Sequence, residues 1–451
     1  MPPASPSTAR ALNDRLALEL LQEHGPLSAS QLTTLTGLAR PTVADLIQRL
    51  GENGLITPAG ESGANRRGPN ARLYGIAADR AHLAALDMRA DSVRVLVADL
   101  LGTTLAEGTL PVDALEKDWA AKHGAGTHRS GTHGSGKHGA EVGARDRSAE
   151  AVRRSAELLD QVMKDAGVRQ LHSVAVGAPG MIDAATARLR TSTGLVWHHE
   201  VIALLQQRLT AAVRIENESN LAALAEQRQG VARGRDSFIL FWLGEGPGAA
   251  VVLDGKLRNG ASGGAGEIGF LPMPGTNGLP SATDCDDGFH SLVSGAAVRR
   301  LAEEHGIGEE HGIGPEQGLA PEPGADPGQG ADPAHSSDPA LRLEAEAAVR
   351  AAVAAGPPGE AFLDAFASRI ALGAAAVVAV LDPGCLVLGG ELGHAGGTAL
   401  ATRVESALAR LSPLPTEVRP SHFGGAGVVH GALLAAQSMA QQALFPGPHA
   451  S

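Results

Sequence analysis

Cysteine is nearly absent from this chain of 451 residues; the two present are Cys285 and Cys385. A secreted scaffold stapled by several disulfides is therefore excluded. Aromatic side chains make up only 3%, so any core has to be built from Ala, Val, Leu and Ile. Long apolar runs are missing too. The longest, 370–381, falls short of the roughly 18 residues that span a bilayer. The N-terminus offers Pro, Ser and Thr where a secretion signal carries an apolar stretch. These absences predict a cytoplasmic protein with no membrane partner. An excess of positive charge is also lacking, since 37 basic side chains face 49 acidic ones for a formal charge of −12. That sum excludes a chain coated in basic charge but leaves room for a local basic patch.

What is present is length. At about 150 residues per domain, the chain holds two or three domains. Residues 1–10 read as a flexible tail. From Ala11, Leu12, Leu16 and Leu20 recur every fourth residue, the helical period. Gly25-Pro26 stops that helix. Ser28 stands three residues before Gln31, the spacing of a capping box, and predicts a second helix with Leu32 and Leu35 facing inward. Gly37 ends it. A third helix starts near Pro41, with Val43, Leu46, Ile47 and Leu50 on one face. Two short strands, at 55–56 and 72–74, then flank a Gly-rich hairpin carrying Arg66 and Arg67. The layout is that of a winged helix-turn-helix over 11–76. The third helix would enter a major groove with Arg40, Pro41, Thr42 and Gln48, and perform the reading together with Arg66 and Arg67 of the wing. The competing reading is a three-helix interaction or dimerisation module. Ala39 stands where a Ser or Thr cap is expected, which leaves the third helix dependent on tertiary packing.

From residue 79 to 445 the texture is that of an α/β unit, strands alternating with helices. Two stretches break it. Residues 117–150 hold His123, His128, His133 and His138 at a spacing of five among Gly, Ser and Thr; residues 305–340 repeat Gly-Ala-Asp-Pro. Such compositions read as inserts and linkers rather than core or metal sites. Between them lie Gly-rich turns after strands: Gly177 to Gly180, Gly244-Glu245-Gly246, and Gly389-Gly390. Glycine there lets backbone amides approach a ligand. The sequence Glu216-Asn217-Glu218-Ser219-Asn220 at a strand end offers carboxylates and amides for sugar hydroxyls, or a helix cap; Glu267 adds a carboxylate in a Gly-rich loop.

On these residues the chain resembles the ROK family, named for repressors, open reading frames and kinases. "GPLSASQLTTLTGLARPTVADLIQRLGENGLI" and "RRGPNARLYG" are similar to the family's repressor branch; "VAVGAPGMID", "IENESNLAALAE", "LDGKLRNGASGGAGEIG" and "LDPGCLVLGGELG" follow its sugar-kinase-like part in order. The resemblance implies an α/β fold of the actin-like ATPase (ribonuclease H-like) type in two lobes, preceded by the winged helix. It also implies a carbohydrate effector, double-stranded operator DNA as partner, and self-association as homodimer or homotetramer.

The departures from the family pattern carry as much. Family kinases open with Asp-x-Gly-x-Thr to cradle phosphate, whereas here Asp87 is followed by Met88, Arg89, Ala90 and Asp91. Glu218 stands at the position of the catalytic Asp. Phe270 replaces a His that binds zinc and sugar, and the Cys-rich zinc loop keeps only Cys285, with His290 where the family has a sugar-binding Glu. The implied sugar ligands are Asn217, Glu218, Glu267 and His290. The nucleotide loops at Asp87, Arg89, Gly244, Glu245, Gly246, Gly389 and Gly390 are degenerate, with Arg89 expected to pair with Glu245 across the empty site. The sequence thus predicts a regulator that is not an enzyme, without cofactor or structural metal. The alternatives are an ATP-dependent sugar kinase and a ligand-independent regulator that uses the ROK part for dimerisation only.

Overall fold

The computed structural model describes residues 6–61, 71–89, 92–111, 136–183, 186, 188–190, 196–281, 285–307 and 339–445. Arg66 and Arg67 lie outside these residues, as do 1–5, most of the first insert and 308–338 of the second.

The chain opens with α1 (Pro6–His24), β1 (Leu27–Ser28), α2 (Ala29–Thr36) and α3 (Arg40–Glu52), followed by β2 (Ile56–Glu61) and β3 (Arg72–Ile76). The three strands pair in the order β1-β3-β2. α1 begins at Pro6, earlier than the expected end of the tail. Ser28 caps α2 as its spacing predicts: its Oγ accepts from Gln31 N at 3.3 Å while Gln31 Oε1 accepts from Ser28 N at 2.9 Å. Gly37 ends α2 at φ +69°, a left-handed conformation natural to glycine. α3 has no side-chain cap at Ala39. Its apolar face is buried through Val43, Leu46 and Leu50. The inward reading of Leu35 is corrected: it is 46% exposed. Leu12 and Leu16 face solvent as well, at 45% and 38% exposed. In α1 the buried positions are Asp14, Ala17, Leu18 and Leu21, because α1 packs on α2, α3 and β3 through that stripe instead.

Two five-stranded sheets follow. The first, in the order β6-β5-β4-β7-β8, uses β4 (His82–Met88), β5 (Ser92–Asp99), β6 (Thr104–Pro111), β7 (Ser173–Ala178) and β8 (Ala212–Asn217). α4 (Gly136–Asp165) and α5 (Val196–Arg208) cover one face, and α6 (Glu218–Gln229) with α12 (Gly427–Leu444) the other. α4 corrects the first insert, which is helical from Gly136 onward, over nearly half its length, and includes His138. The second sheet, β11-β10-β9-β12-β13, uses β9 (Phe238–Leu243), β10 (Pro247–Leu253), β11 (Lys256–Leu257), β12 (Cys385–Gly389) and β13 (Glu417–Pro420). Its helices are α7 (His290–Val293), α8 (Gly295–Glu304), α9 (Pro339–Ala355), α10 (Glu360–Leu381) and α11 (Gly390–Leu411).

In each sheet a parallel core is flanked by antiparallel pairs: β4 runs parallel to β7 and antiparallel to β5, and β9 runs parallel to β12 and antiparallel to β10. Parallel strands covered on both faces read as continuous apolar runs, and Phe238–Leu243 and Cys385–Leu388 are buried throughout. The stretch 357–381 is long and apolar enough to cross a membrane by length and composition, which the shorter run 370–381 did not suggest. Here α10 is a core helix: Phe362, Phe366, Ile370 and Ala374 are fully buried against its neighbours. The core of α1–α3 is continuous with that of the first lobe, since Leu18, Leu21 and Ile76 share one cluster with Leu83, Ala432 and Phe445.

Candidate functional site

The exposed side of α3 displays Arg40, Pro41, Thr42, Asp45 and Gln48. Four of these were singled out from the sequence, and the fold places them on one solvent-facing surface. Gln48 Nε2 donates to Glu52 Oε1 at 2.9 Å. Behind that face, Arg49 donates from Nε to Asp14 Oδ2 at 2.8 Å and from Nη2 to the other carboxylate oxygen. Asp14 is 4% exposed, so a charged pair ties α3 to α1. Hydrogen bonding to Asp14 raises the pKa of Arg49 against the opposing effect of burial. Composition gave no signal for this pair, whose members are far apart in sequence.

The second site lies where the two sheets face each other. β4 carries Asp87, 2% exposed, just before its last residue Met88, and Arg89 follows the strand. Arg89 Nε donates to Asp87 Oδ2 at 2.9 Å, Nη1 to Glu391 Oε1, and Nη2 to the carbonyl of Gly425. Its guanidinium carbon lies 5.9 Å from the centre of the Trp242 ring. The expected partner Glu245 is corrected to Glu391, the second residue of α11. Sequence reasoning missed Glu391 although it follows Gly389-Gly390 directly, because nothing local says which carboxylate a distant arginine meets. Gly390 makes the turn possible: at φ +75°, a Cβ there would lie 2.3 Å from the carbonyl of Leu243. Gly244 leaves the space Glu391 fills, since a Cβ would meet Glu391 Oε2 at 2.6 Å. The degenerate loops thus converge on one guanidinium.

Burial by itself lowers an arginine pKa; Asp87, Glu391 and Glu218 reverse this and leave Arg89 raised. Asp87 is pushed up by burial and pulled back by Arg89, and its Oδ1 has no hydrogen-bond partner. Glu218, half-buried at the start of α6, is pushed up to about 8 by burial, then by Glu391, with Arg89 opposing and Asp87 and Glu245 adding to the rise. A carboxyl poised there can donate a hydrogen bond at neutral pH or accept a proton above it.

The acceptor side is a separate cluster beside it. Asn217 caps α6, its Oδ1 accepting from Ser219 N at 2.8 Å and Asn220 N at 3.4 Å, and its Nδ2 donates to the Gly180 carbonyl at 3.0 Å. The cap reading of this motif therefore holds for the Asn217 oxygen. Met181 reaches Gly264, where a Cβ would lie 2.6 Å from its Cε, and Gly264 in turn borders Glu267. Burial raises the Glu267 pKa. His290 lies against the β9–β10 turn, 3.5 Å from a Cβ placed on Gly246.

Cys285, Asp286 and His290 bring possible ligand atoms within 4.8 Å of one another. The sequence reading counted only the Cys and the His, and the structure adds Asp286. A structural zinc site closes with four ligands, mostly N and S. Among the described residues, three donors with one carboxylate fall short of that set.

Winged helix and two-lobed cleft together define a class: a helix-turn-helix unit joined to a sugar-kinase-like fold. Residues 144–439 match the sequence profile of the ROK family, and residues 10–57 match a winged helix-turn-helix DNA-binding profile. The chain belongs to the ROK family. It is 22% identical over 267 residues to a xylose repressor of Caldicellulosiruptor bescii, covering 58% of this chain and 59% of that one. It is 27% identical over 136 residues to a glucokinase of Streptomyces coelicolor, covering 30% and 43%. The chain thus spans about three fifths of the repressor and less than half of the kinase. Its fold is similar to that of a ROK family transcriptional regulator described as a homologue of the E. coli MLC protein, with TM-score 0.64 and 17% identity over 98% of both chains. It is also similar to a Streptomyces griseus ROK glucokinase solved with glucose and AMPPNP, with TM-score 0.56 and 19% identity over 79% of this chain and 99% of that one.

Proposed function

We propose that this chain is a cytoplasmic transcriptional repressor that binds double-stranded operator DNA through Arg40, Thr42, Gln48 and the wing arginines. In this reading it releases DNA when a sugar or sugar derivative enters the cleft. It acts as a homodimer or homotetramer and does not phosphorylate the sugar. In this reading the winged helix spans 11–76 and the sensor 79–445. The observation that carries the reading is Arg89. Phosphoryl transfer needs free backbone amides and cations around a triphosphate. Here the Arg89 guanidinium is already engaged by Asp87, Glu391 and the Gly425 carbonyl. The xylose repressors among the relatives make pentoses the first sugars to try.

The kinase reading keeps one observation in its favour, the raised pKa of Glu218 at the family's base position. The test is footprinting upstream of the gene, repeated across sugars and sugar phosphates, beside an ATP-coupled phosphorylation assay. Sugar-dependent release without turnover is the expected result. Turnover that vanishes in Glu218→Gln would establish the kinase instead, and DNA binding indifferent to every sugar would leave the ligand-independent regulator.

A further inference from the structure

Arg89 has carboxylate partners on both sides of the cleft. Asp87 belongs to β4 of the first sheet, and Glu391 opens α11 on the second. The third acceptor, Gly425, precedes α12, which packs on β4 and β7 of the first lobe. The chain crosses between lobes twice, at 230–237 and at 421–426, and the second crossing includes Gly425, so Arg89 is hydrogen-bonded to its own strand, to a crossing segment and to the second lobe. A single carboxylate, Glu226, 1% exposed, holds both crossings. Its Oε2 accepts from Val231 N at 2.9 Å; its Oε1 accepts from Ser421 Oγ at 2.6 Å, His422 N at 2.8 Å and Phe423 N at 3.2 Å. Arg419 adds a bond from Nη1 to the Val231 carbonyl at 3.0 Å, and Arg235 pairs with Glu417.

We propose that Arg89 is an interlobe latch, holding the cleft shut without any bound molecule by sharing its guanidinium between a carboxylate of each lobe, with Glu226 as the pin of the two crossing segments. The division of acceptors makes the latch reversible. Breaking a buried ion pair is costly when it strands a charge. On opening, Arg89 keeps Asp87 and Gly425, so its charge stays neutralised. Glu391 is left in the first turn of a long helix, where the helix dipole favours an anion. Neither ion is abandoned, and the closed and open arrangements form two discrete states that a ligand in the cleft can bias. The latch does not depend on the identity of the effector.

Trp242, on β9 across the cleft, reports the state. In a Trp119→Phe, Trp197→Phe background of the full chain, Trp242 in the closed cleft is shielded from acrylamide. Glu391→Gln should raise its quenching constant severalfold and increase the radius of gyration seen by X-ray scattering. Arg89→Lys keeps the charge but cannot reach three acceptors at once, and should give an intermediate rise. Glu226→Gln should speed amide exchange at Val231, His422 and Phe423 while leaving Glu391–Arg89 intact. Unchanged quenching in both latch variants, with circular dichroism unaltered, overturns the latch. Should Glu391→Gln fail to fold, Arg89→Lys decides alone: quenching equal to that of the parent overturns it, and a rise supports it.

Discussion

The winged helix and the cleft are assembled by opposite means. In the winged helix each structural decision is made within a few residues: Ser28 and Gln31 cap α2 three apart, Gly37 stops it, and the face of α3 repeats with the helical period. In the cleft the decisive contacts join Arg89 to residues 302 and 336 positions away. Local devices can be read from a string of letters, because the spacing is the geometry. Long-range ones cannot, because the same arginine could meet any carboxylate the topology brings near.

The sharpest way to break this contrast is at the DNA face. The local reading assigns recognition to α3 and the wing, so Arg40→Glu with Arg66→Glu should weaken operator binding by about a thousandfold, from roughly 2 kcal/mol at each position. Fluorescence anisotropy on the footprinted operator measures it. Unchanged affinity would mean that the exposed face of α3 does not read DNA, however well its spacing fits.

A smaller effect tests a long-range side-chain contact inside the winged helix. Asp14→Ala strands Arg49, which is itself one-third exposed, so the loss should be about 2 kcal/mol, below the range for a fully buried pair. Removing Glu19, whose pair with Arg15 is exposed at both ends, should cost less than about 0.5 kcal/mol. Urea denaturation followed by amide exchange of α1 and α3 compares them. Equal costs would show that the Asp14–Arg49 pair is as expendable as a surface one.

How much was legible follows the same line. The capping box, the uncapped Ala39 and the alternation of strands and helices after residue 79 stood in the sequence. The inward assignment of Leu35 did not survive, because periodicity fixes a face but not what covers it. Arg89 was recognised as foreign to a phosphate loop, while its partner Glu391 was not. Asn217 was visible as both ligand and cap, and its Oδ1 proved to be occupied by the cap. Asp286 went unnoticed beside Cys285 and His290, since a lone carboxylate in an acidic loop carries no signal.

Within the cleft, Glu218 gives a pH signature. Its pKa in the fold is about 8, above its usual value of 4.5. The folded state then holds a proton the unfolded state has released, so its contribution is complete below about pH 4.5 and is lost as pH rises towards 8. Glu218→Gln removes that loss. The variant should match the parent near pH 4.5 and exceed it by a margin that grows as pH rises towards 8.5. Denaturation midpoints across pH test it, and parallel curves would show that Glu218 is ionised throughout.

The smallest effect returns to the two helices of the helix-turn-helix, which differ in one respect. α2 has a full capping box, whereas α3 starts at Ala39 with backbone φ −65° and ψ 146°, the conformation a cap residue adopts, but with no side-chain oxygen to use it. The Ala39 carbonyl already accepts from Val43 N at 3.1 Å, so the helix is started and only the amides of its first turn want a partner. Ala39→Ser supplies one without moving the backbone and should stabilise the winged helix by about 1 kcal/mol. Ser28→Ala, which deletes the cap of α2, should cost a similar amount. If recognition needs the first-turn amides of α3 free for a phosphate, the serine will compete with DNA: thermal stability rises while operator affinity falls. If α3 reads bases through side chains alone, stability rises and affinity holds. Measuring both on one variant therefore separates a helix left uncapped for function from one that packing alone had made stable enough.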